Sequence, residues 1–434
     1  MSINRTFTEF IDSAVSVYHT QELIAATLRD NGAIKLAEGD SWRLQKGQLY
    51  YVARNQSSII AFRTGTDAPA EAGFKIAGAH TDSPGLKLKL HGGLFDDNRQ
   101  SDTLPVEIYG SPLLYTWMDR TLSLAGRVVV HSDKTPNALQ SYLIHLPDAG
   151  LIVPSLAIHL NRDANKSFSL NPHEHMQAVS GVKSECLMDY ILANANIQLD
   201  NPKHSLEADI FLYDSQPAAL GGLDASFVHS GRIDNIAGCY TNLDAFLQAD
   251  TNYHTQVLAC FDAEEIGSRT YGGANSGFLT SILQRICFQD NPHIEQWYRA
   301  ASRSLCISND GAHAVHPNYA DKHDKRYRPV INNGPVIKLS ASQRYASTAW
   351  TAQYIKNLCA RAKSTYQFLI NRADIPAGST IGPFTHTQTQ IPTVDIGIPM
   401  LAMHSIRETA GLQDIENLTQ IIRCFYSSDG SLGQ

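Results

Sequence analysis

The stretch Val257-Leu258-Ala259-Cys260-Phe261-Asp262-Ala263-Glu264-Glu265-Ile266-Gly267-Ser268 joins a short unbroken apolar run to three carboxylates. A run of that kind fits a parallel strand covered on both faces. The acids then fall at its carboxyl end, where open α/β sheets place their sites. Downstream, Gly267, Ser268, Gly272 and Gly273 predict a loop that lets backbone approach a ligand, and Asn275-Ser276 opens a helix through Phe278, Leu279, Ile282 and Leu283. Read alone, Glu264-Glu265 also fits a solvated acidic turn, so its meaning depends on the other strand ends.

The chain has 434 residues, 43% hydrophobic and 18% charged, which suits one large or two medium soluble domains. A net charge of -7 argues against nucleic-acid and anionic-membrane partners. An acidic substrate would then need a local cation, since the long-range field repels it. Seven scattered cysteines, an odd number with no Cys-x-x-Cys pair, fit reduced thiols. Met1 to Asp12 lacks a basic and apolar leader, and no stretch reaches membrane-spanning length, so the expected location is cytoplasmic and unanchored.

Outward from the acidic stretch, Phe74 to Ala79 reads as a strand ending in His80-Thr81-Asp82. His followed by Asp two places on is either a histidine capping a strand or a ligand whose ring a carboxylate orients. Thr6-x-x-Glu9 predicts a helix start, and Leu49–Val52 with Ile59–Phe62 a hairpin. Between His91 and His229 the texture turns β-rich, with runs at Leu104–Tyr109, Leu122–His131 and Leu151–Leu160, which predicts an inserted domain. Within it, His173-Glu174-His175 fits a polar loop better than a metal clamp, and His159-Leu160-Asn161-Arg162 reads as a rim. The α/β pattern resumes at Gly231-Arg232-Ile233-Asp234-Asn235. It continues with a strand at Leu305–Ser308 running into Asp310, a strand Gly334–Leu339 carrying Lys338, a helix from Trp350 to Ala362, and a loop at Pro376–Pro383. A strand Thr393–Ile398, then His404, then a final helix complete the chain.

His80, Asp234, Glu264, Glu265, Asp310 and His404 thus stand at or near strand ends. Five of them make a two-metal set, with one carboxylate shared between ions about 3.5 to 4 Å apart and a mixed His/carboxylate shell that suits zinc. Neighbours in extended chain point to opposite sides, so one of Glu264 and Glu265 is expected to ligate and the other to act as a general base.

These segments, Ala77 to Pro84, Gly231 to Asn235, Asp262 to Ser268, Asp310 to Tyr319 and Met403 to Glu408, resemble the aspartyl aminopeptidase family of zinc metallopeptidases over nearly the whole chain. The resemblance implies a mixed-sheet α/β/α zinc-exopeptidase-like catalytic domain, residues 1–90 and 231–434, and an inserted β-rich dimerisation domain, residues 91–230. It implies two Zn2+ per subunit: one on His80 and Asp310, one on Glu265 and His404, with Asp234 bridging. Manganese or cobalt also suits these ligands. Glu264 would be the base and Asp82 would orient His80. Dimers would build a tetrahedral dodecamer in which His159 reaches a neighbour's active site.

Peptides with an N-terminal Asp or Glu are the implied substrates, and a buried substrate carboxylate requires a cation. Lys338 is the candidate, against the alternative of a lysine snorkelling off an edge strand. His313 either lines the same pocket or is a core histidine. Gly311 stands where the family commonly has bulkier residues, which predicts a roomier pocket. The competing readings are another dizinc amidohydrolase or deacylase on the same scaffold, and a non-catalytic structural particle.

Overall fold

In a computed structural model, residues 5–90, 103–131, 139–181, 187–195, 197 and 206–428 are described. Their centre is a mixed nine-stranded sheet. Its order from one edge is Ile34–Lys35, Leu49–Arg54, Ser58–Arg63, Thr255–Phe261, Phe74–His80, Leu305–Asn309, Thr393–Gly397, Val336–Lys338 and Gln367–Leu369. The four strands from Thr255–Phe261 to Thr393–Gly397 are mutually parallel. In register, Phe261 lies beside His80, and Asn309 beside Ile396. The carboxyl ends of these strands therefore open on one edge.

The period-two alternation of strand side chains divides each apolar run between two cores. Ala77, Ala79, Leu258 and Cys260 pack with helices Val17–Asp30, Ile233–Gln248, Ala349–Arg361 and Leu412–Ser427. Phe74, Ile76, Val257, Ala259 and Phe261 pack with Phe278–Cys287 and Ile294–Ser302 on the other face. This is the expected α/β/α layering. Thr6 and Glu9 form the predicted capping box.

A second, five-stranded antiparallel sheet follows His80: Val106–Tyr109, Gly85–Leu88, Leu206–Asp214, Leu122–His131 and Leu139–Leu151. It has its own core, including Leu86, Leu124, Val128, Ile144 and Ile210. It begins at Gly85, ahead of the boundary drawn at residue 91. The β run expected over Leu151–Leu160 is corrected: the strand stops at Leu151, and Ala157 to Leu160 form an exposed turn. Within the stretch expected as a loop up to Pro383, a helix starts at Ile381 and runs to Thr389, capped by Thr380.

A third sheet positions the site. Phe227–Ser230, just before Asp234, pairs with Glu408–Gly411; Pro399–Leu401 pairs with both Glu408–Gly411 and Ala312–His313. Three loops that are distant in sequence are thereby tied to one another.

Candidate active site

His80 is the last residue of a fully buried strand, and its Nε2 lies 3.4 Å from Asp234 Oδ1. Asp234 enters at the start of the helix Ile233–Gln248. Arg232 precedes it in the left-handed region, φ 63°, and its guanidinium donates to the Ala14 carbonyl at 3.0 Å. His404 Nε2 is 3.5 Å from Asp234 Oδ2 and 3.3 Å from Glu265 Oε2. One carboxylate therefore stands between the two imidazoles. Ligand atoms of His80, Asp234 and Glu265 all lie within 4.8 Å of one another.

Asp310 follows its strand directly, and its Oδ1 is 3.4 Å from Lys338 Nζ. Lys338 lies on a strand running antiparallel to Thr393–Gly397, and the long stem of this buried residue, 2% exposed, brings its ammonium to the Asp310 carboxylate. The chain can come this close because residue 397 is glycine: a Cβ there would overlap the Asp310 carbonyl.

Glu264 and Glu265 are not extended. They begin a 3-10 turn, Glu264–Ile266, entered through Ala263 at φ 61°. A turn, rather than strand alternation, is what separates them. Glu265 meets His404, while Glu264 feels the charges of His80, Asp310 and Asp82. Asp82 secures the turn by accepting the Glu264 N–H on Oδ1 and the Glu265 N–H on Oδ2, both at 3.1 Å. Its backbone carbonyl, 3.0 Å away, takes the hydrogen bond from His80 Nδ1, and its carboxylate lies 3.4 Å from the same nitrogen.

The sequence reading assigned no role to two supports. Glu408, fully buried, accepts the Asp234 N–H at 3.0 Å and the His404 N–H at 2.7 Å, one on each oxygen. His404 needs such a clamp, because its φ is 66°, a region ordinary side chains avoid. The other support is the turn after Tyr109. Tyr109 donates to Asp82 at 2.8 Å, Gly110 packs on Glu265, and the Ser111 carbonyl meets His404 Nδ1 at 3.1 Å. A buried acid opening a short strand, Glu408-Thr409-Ala410-Gly411, is the signal that could have found the first.

Charge balance tests the fit to metal. Asp82, Asp234, Glu264, Glu265, Asp310 and Glu408 converge on two imidazoles and one lysine. Burial pushes Glu264 up to about 9 and Glu265 up to about 7, with neighbouring carboxylates adding to both. Although burial works against a charged ring, Asp234 and Glu265 hold His404 up to about 11. Asp234 Oδ1 and Glu265 Oε1 are buried and make no hydrogen bond. Excess buried negative charge with orphaned carboxylate oxygens among imidazole nitrogens is a donor set for divalent cations, zinc among them.

His313 lines a cavity of about 360 Å³ together with Met400 and Met403. Its ring is partly open to solvent, yet burial, aided by the Lys338 charge, lowers it to about 4. Gly311 does not enlarge this region as expected. A Cβ there would come within 2.7 Å of Met400 Sδ and 3.0 Å of Met403 Cε, so methionine fills the space. His159 sits in the exposed turn of the second sheet's long loop. His173 and His175 belong to an exposed single helical turn.

The family model for the aminopeptidase I zinc metalloproteases (M18) matches residues 10–426. The chain is 41% identical over 434 residues to a probable M18 family aminopeptidase 2 of Stutzerimonas stutzeri, covering 98% of each. It is 40% identical over 425 residues to a protein of the same description from Clostridium acetobutylicum, covering 96% of this chain and 97% of that one. Among solved structures, the chain in the complex of Ape4 and Nbr1 superposes with a TM-score of 0.91 at 33% identity, covering 97% of this chain and 84% of that one. The S. cerevisiae mApe1 dodecamer shares the fold, with a TM-score of 0.83 at 24% identity and coverage of 97% and 95%. With its strand-end donors in place and its likeness running nearly end to end, the chain belongs to the aminopeptidase I zinc metalloprotease family, M18, and is a zinc-dependent aminopeptidase.

Proposed function

We propose that the enzyme removes N-terminal Asp and Glu from peptides, using two zinc ions per subunit. Lys338 carries this reading. A buried ammonium is costly unless a carboxylate meets it. Its partner Asp310 is also a proposed metal ligand. With Asp310 so engaged, the acidic side chain of a substrate completes the pairing, and His313 stands near enough to feel the Lys338 charge.

His80 and Asp310 would hold one ion, Glu265 and His404 the other, and Asp234 both. When bound, the ions supply Lewis-acid polarisation of the scissile carbonyl and make a nearby water acidic enough to attack at neutral pH. Glu264 takes a proton from the attacking water onto its carboxylate as the water oxygen adds to the carbonyl carbon. As the C–N bond breaks, Glu264 gives that proton to the departing amine nitrogen. Asp82 holds the Glu264 and Glu265 amides and the His80 ring, so the base and the ligands share one anchor.

Residues 1–90 and 231–434 would be the catalytic part, and residues 91–230 the oligomerisation part. Exposed Leu156, Ile158, Leu160 and Phe168 lie in the same loop as His159, which favours a contact between copies that carries His159 to a neighbour. Assembly through dimers to a tetrahedral dodecamer is part of this reading, and mApe1, a dodecamer of the same fold, supports the subunit count alone. A cytoplasmic location, expected from the scattered thiols, belongs to the same reading.

The test is hydrolysis of Asp-, Glu-, Leu- and Lys-anilides by chelator-stripped enzyme with zinc, manganese or cobalt restored. Asp and Glu should be preferred, and Lys338→Met should erase the preference by roughly a hundredfold, the scale of a lost buried charge partner. Equal losses on acidic and neutral anilides would overturn the pocket assignment. Metal analysis giving one ion per active subunit would overturn the paired site.

A further inference from the structure

The cavity beside His313 does not end there. It shares His323 and Asp324 with an adjoining open depression of about 730 Å³, whose walls carry Lys325, Arg326, Arg328 and Arg372. His313, whose ring feels the charges of Lys338, Asp234 and His404, thus shares its cavity with the start of a loop rich in cations.

Across residues 316–328 there are four fixed positive charges, Lys322, Lys325, Arg326 and Arg328, against two negative ones, Asp321 and Asp324, in a chain whose net charge is -7. The negative groups are partly committed. Asp324 accepts the backbone N–H of Arg326 at 2.8 Å and of Tyr327 at 3.3 Å. Arg372 is held by Asp374 at 2.6 Å and grips the Asp321 carbonyl, so it braces the loop. The Val315 N–H donates to the Pro329 carbonyl at 2.7 Å, closing the loop at its base. Lys322, Lys325, Arg326 and Arg328 are exposed, and no salt bridge or cation–π contact engages them among the described residues.

An enzyme that removes only the first residue must let the rest of the peptide run outward. We infer that this loop is a cationic rim that binds acidic side chains at the second and third substrate positions, so that peptides opening with an acidic run are preferred over those with a single acidic residue. The inference deepens the proposed acidic specificity and rests on it for the first position only. Cations on a concave rim attract an anionic ligand locally even when the whole protein is negative. At about 0.1 M salt the screening length is about 10 Å, so the effect acts on the approaching peptide and fades as salt rises.

The test compares Asp-Glu-Glu-Ala, Asp-Ala-Ala-Ala and Asp-anilide as substrates of the full-length zinc enzyme and of its Lys325→Glu/Arg326→Glu variant. For the variant, kcat/KM on Asp-Glu-Glu-Ala should fall roughly tenfold at low salt and recover at high salt. Turnover of Asp-Ala-Ala-Ala and Asp-anilide should stay within about twofold, as for distant surface charges. An equal fall on both tetrapeptides, no fall on either, or a loss of assembly mass accompanied by lost anilide turnover would each overturn the rim. Failure of the first-position reading would show separately, as wild-type enzyme cleaving Leu-Glu-Glu-Ala as fast as Asp-Glu-Glu-Ala.

Discussion

The edge of the nine-stranded sheet and the long loop of the second sheet break the usual sorting of residues in opposite directions. At the sheet edge, charge is buried: His80, Asp82, Asp234, Lys338 and Glu408 are all at most 3% exposed. In the loop, apolar surface is left outside, and Leu160 is 75% exposed. Each violation identifies what would relieve it. Clustered carboxylates with orphaned oxygens are relieved by cations, and a run of exposed leucine, isoleucine and phenylalanine is relieved by another apolar surface. The chemistry is therefore to be sought at one end of this comparison and assembly at the other.

The strongest way to break the comparison is at the base. Glu264→Gln should lower kcat by about 10²- to 10⁴-fold, the range for a general base, while metal content and thermal stability remain near wild type. A variant that keeps full turnover would remove Glu264 from the proton path, and one that loses its metal would make it a ligand.

Glu408→Gln probes how the buried charge is held. Glu408 receives two backbone N–H groups on two oxygens, whereas an amide has only one acceptor oxygen and would turn its NH2 toward the second donor. Metal affinity should drop by about 10- to 100-fold, the usual cost of removing a ligand's support, and zinc competition titration reads it directly. Unchanged affinity would mean that the third sheet alone positions Asp234 and His404.

Leu156→Lys/Leu160→Lys sharpens the other end. Assembly mass by light scattering should fall. If His159 serves a neighbour's site, kcat/KM should fall with it, by less than the loss expected for Glu264→Gln. Full assembly with both lysines in place would show that these leucines are not the contact.

Much of the site was legible because its strands are buried on both faces. Such strands read as continuous apolar runs, so an ionisable residue at the end of one is conspicuous, as His80 and Asp310 are. Strand alternation predicts that Glu264 and Glu265 diverge, and they do, but through the turn entered at Ala263 and not through alternation. Tyr109, Gly110 and Ser111 escaped notice because their partners lie far along the chain, and only the tertiary fold sets a β-rich insertion against Asp82, Glu265 and His404. The helix Ile381–Thr389 was concealed by Gly382-Pro383 in its first turn, where proline costs little because the first N–H groups of a helix lack intrahelical partners. Leu151–Leu160 reads as strand from its composition, yet past Leu151 the chain leaves the ladder. Gly311 shows a limit of a different kind, because a missing side chain creates room only if no neighbour fills it.

The pairing of Phe227–Ser230 with Glu408–Gly411 also bears on how the protein is made. While the chain is emerging from the ribosome, the stretch before Asp234 has only the short strand Ala219–Gly221 to lie against, and its other side stays unpaired until nearly the whole polypeptide has been synthesised. His404 and the acid that clamps it arrive with that same late segment. On the proposed ligand assignment, a nascent or truncated chain has no finished hydrolytic centre, and neighbouring peptides are spared until synthesis is all but complete.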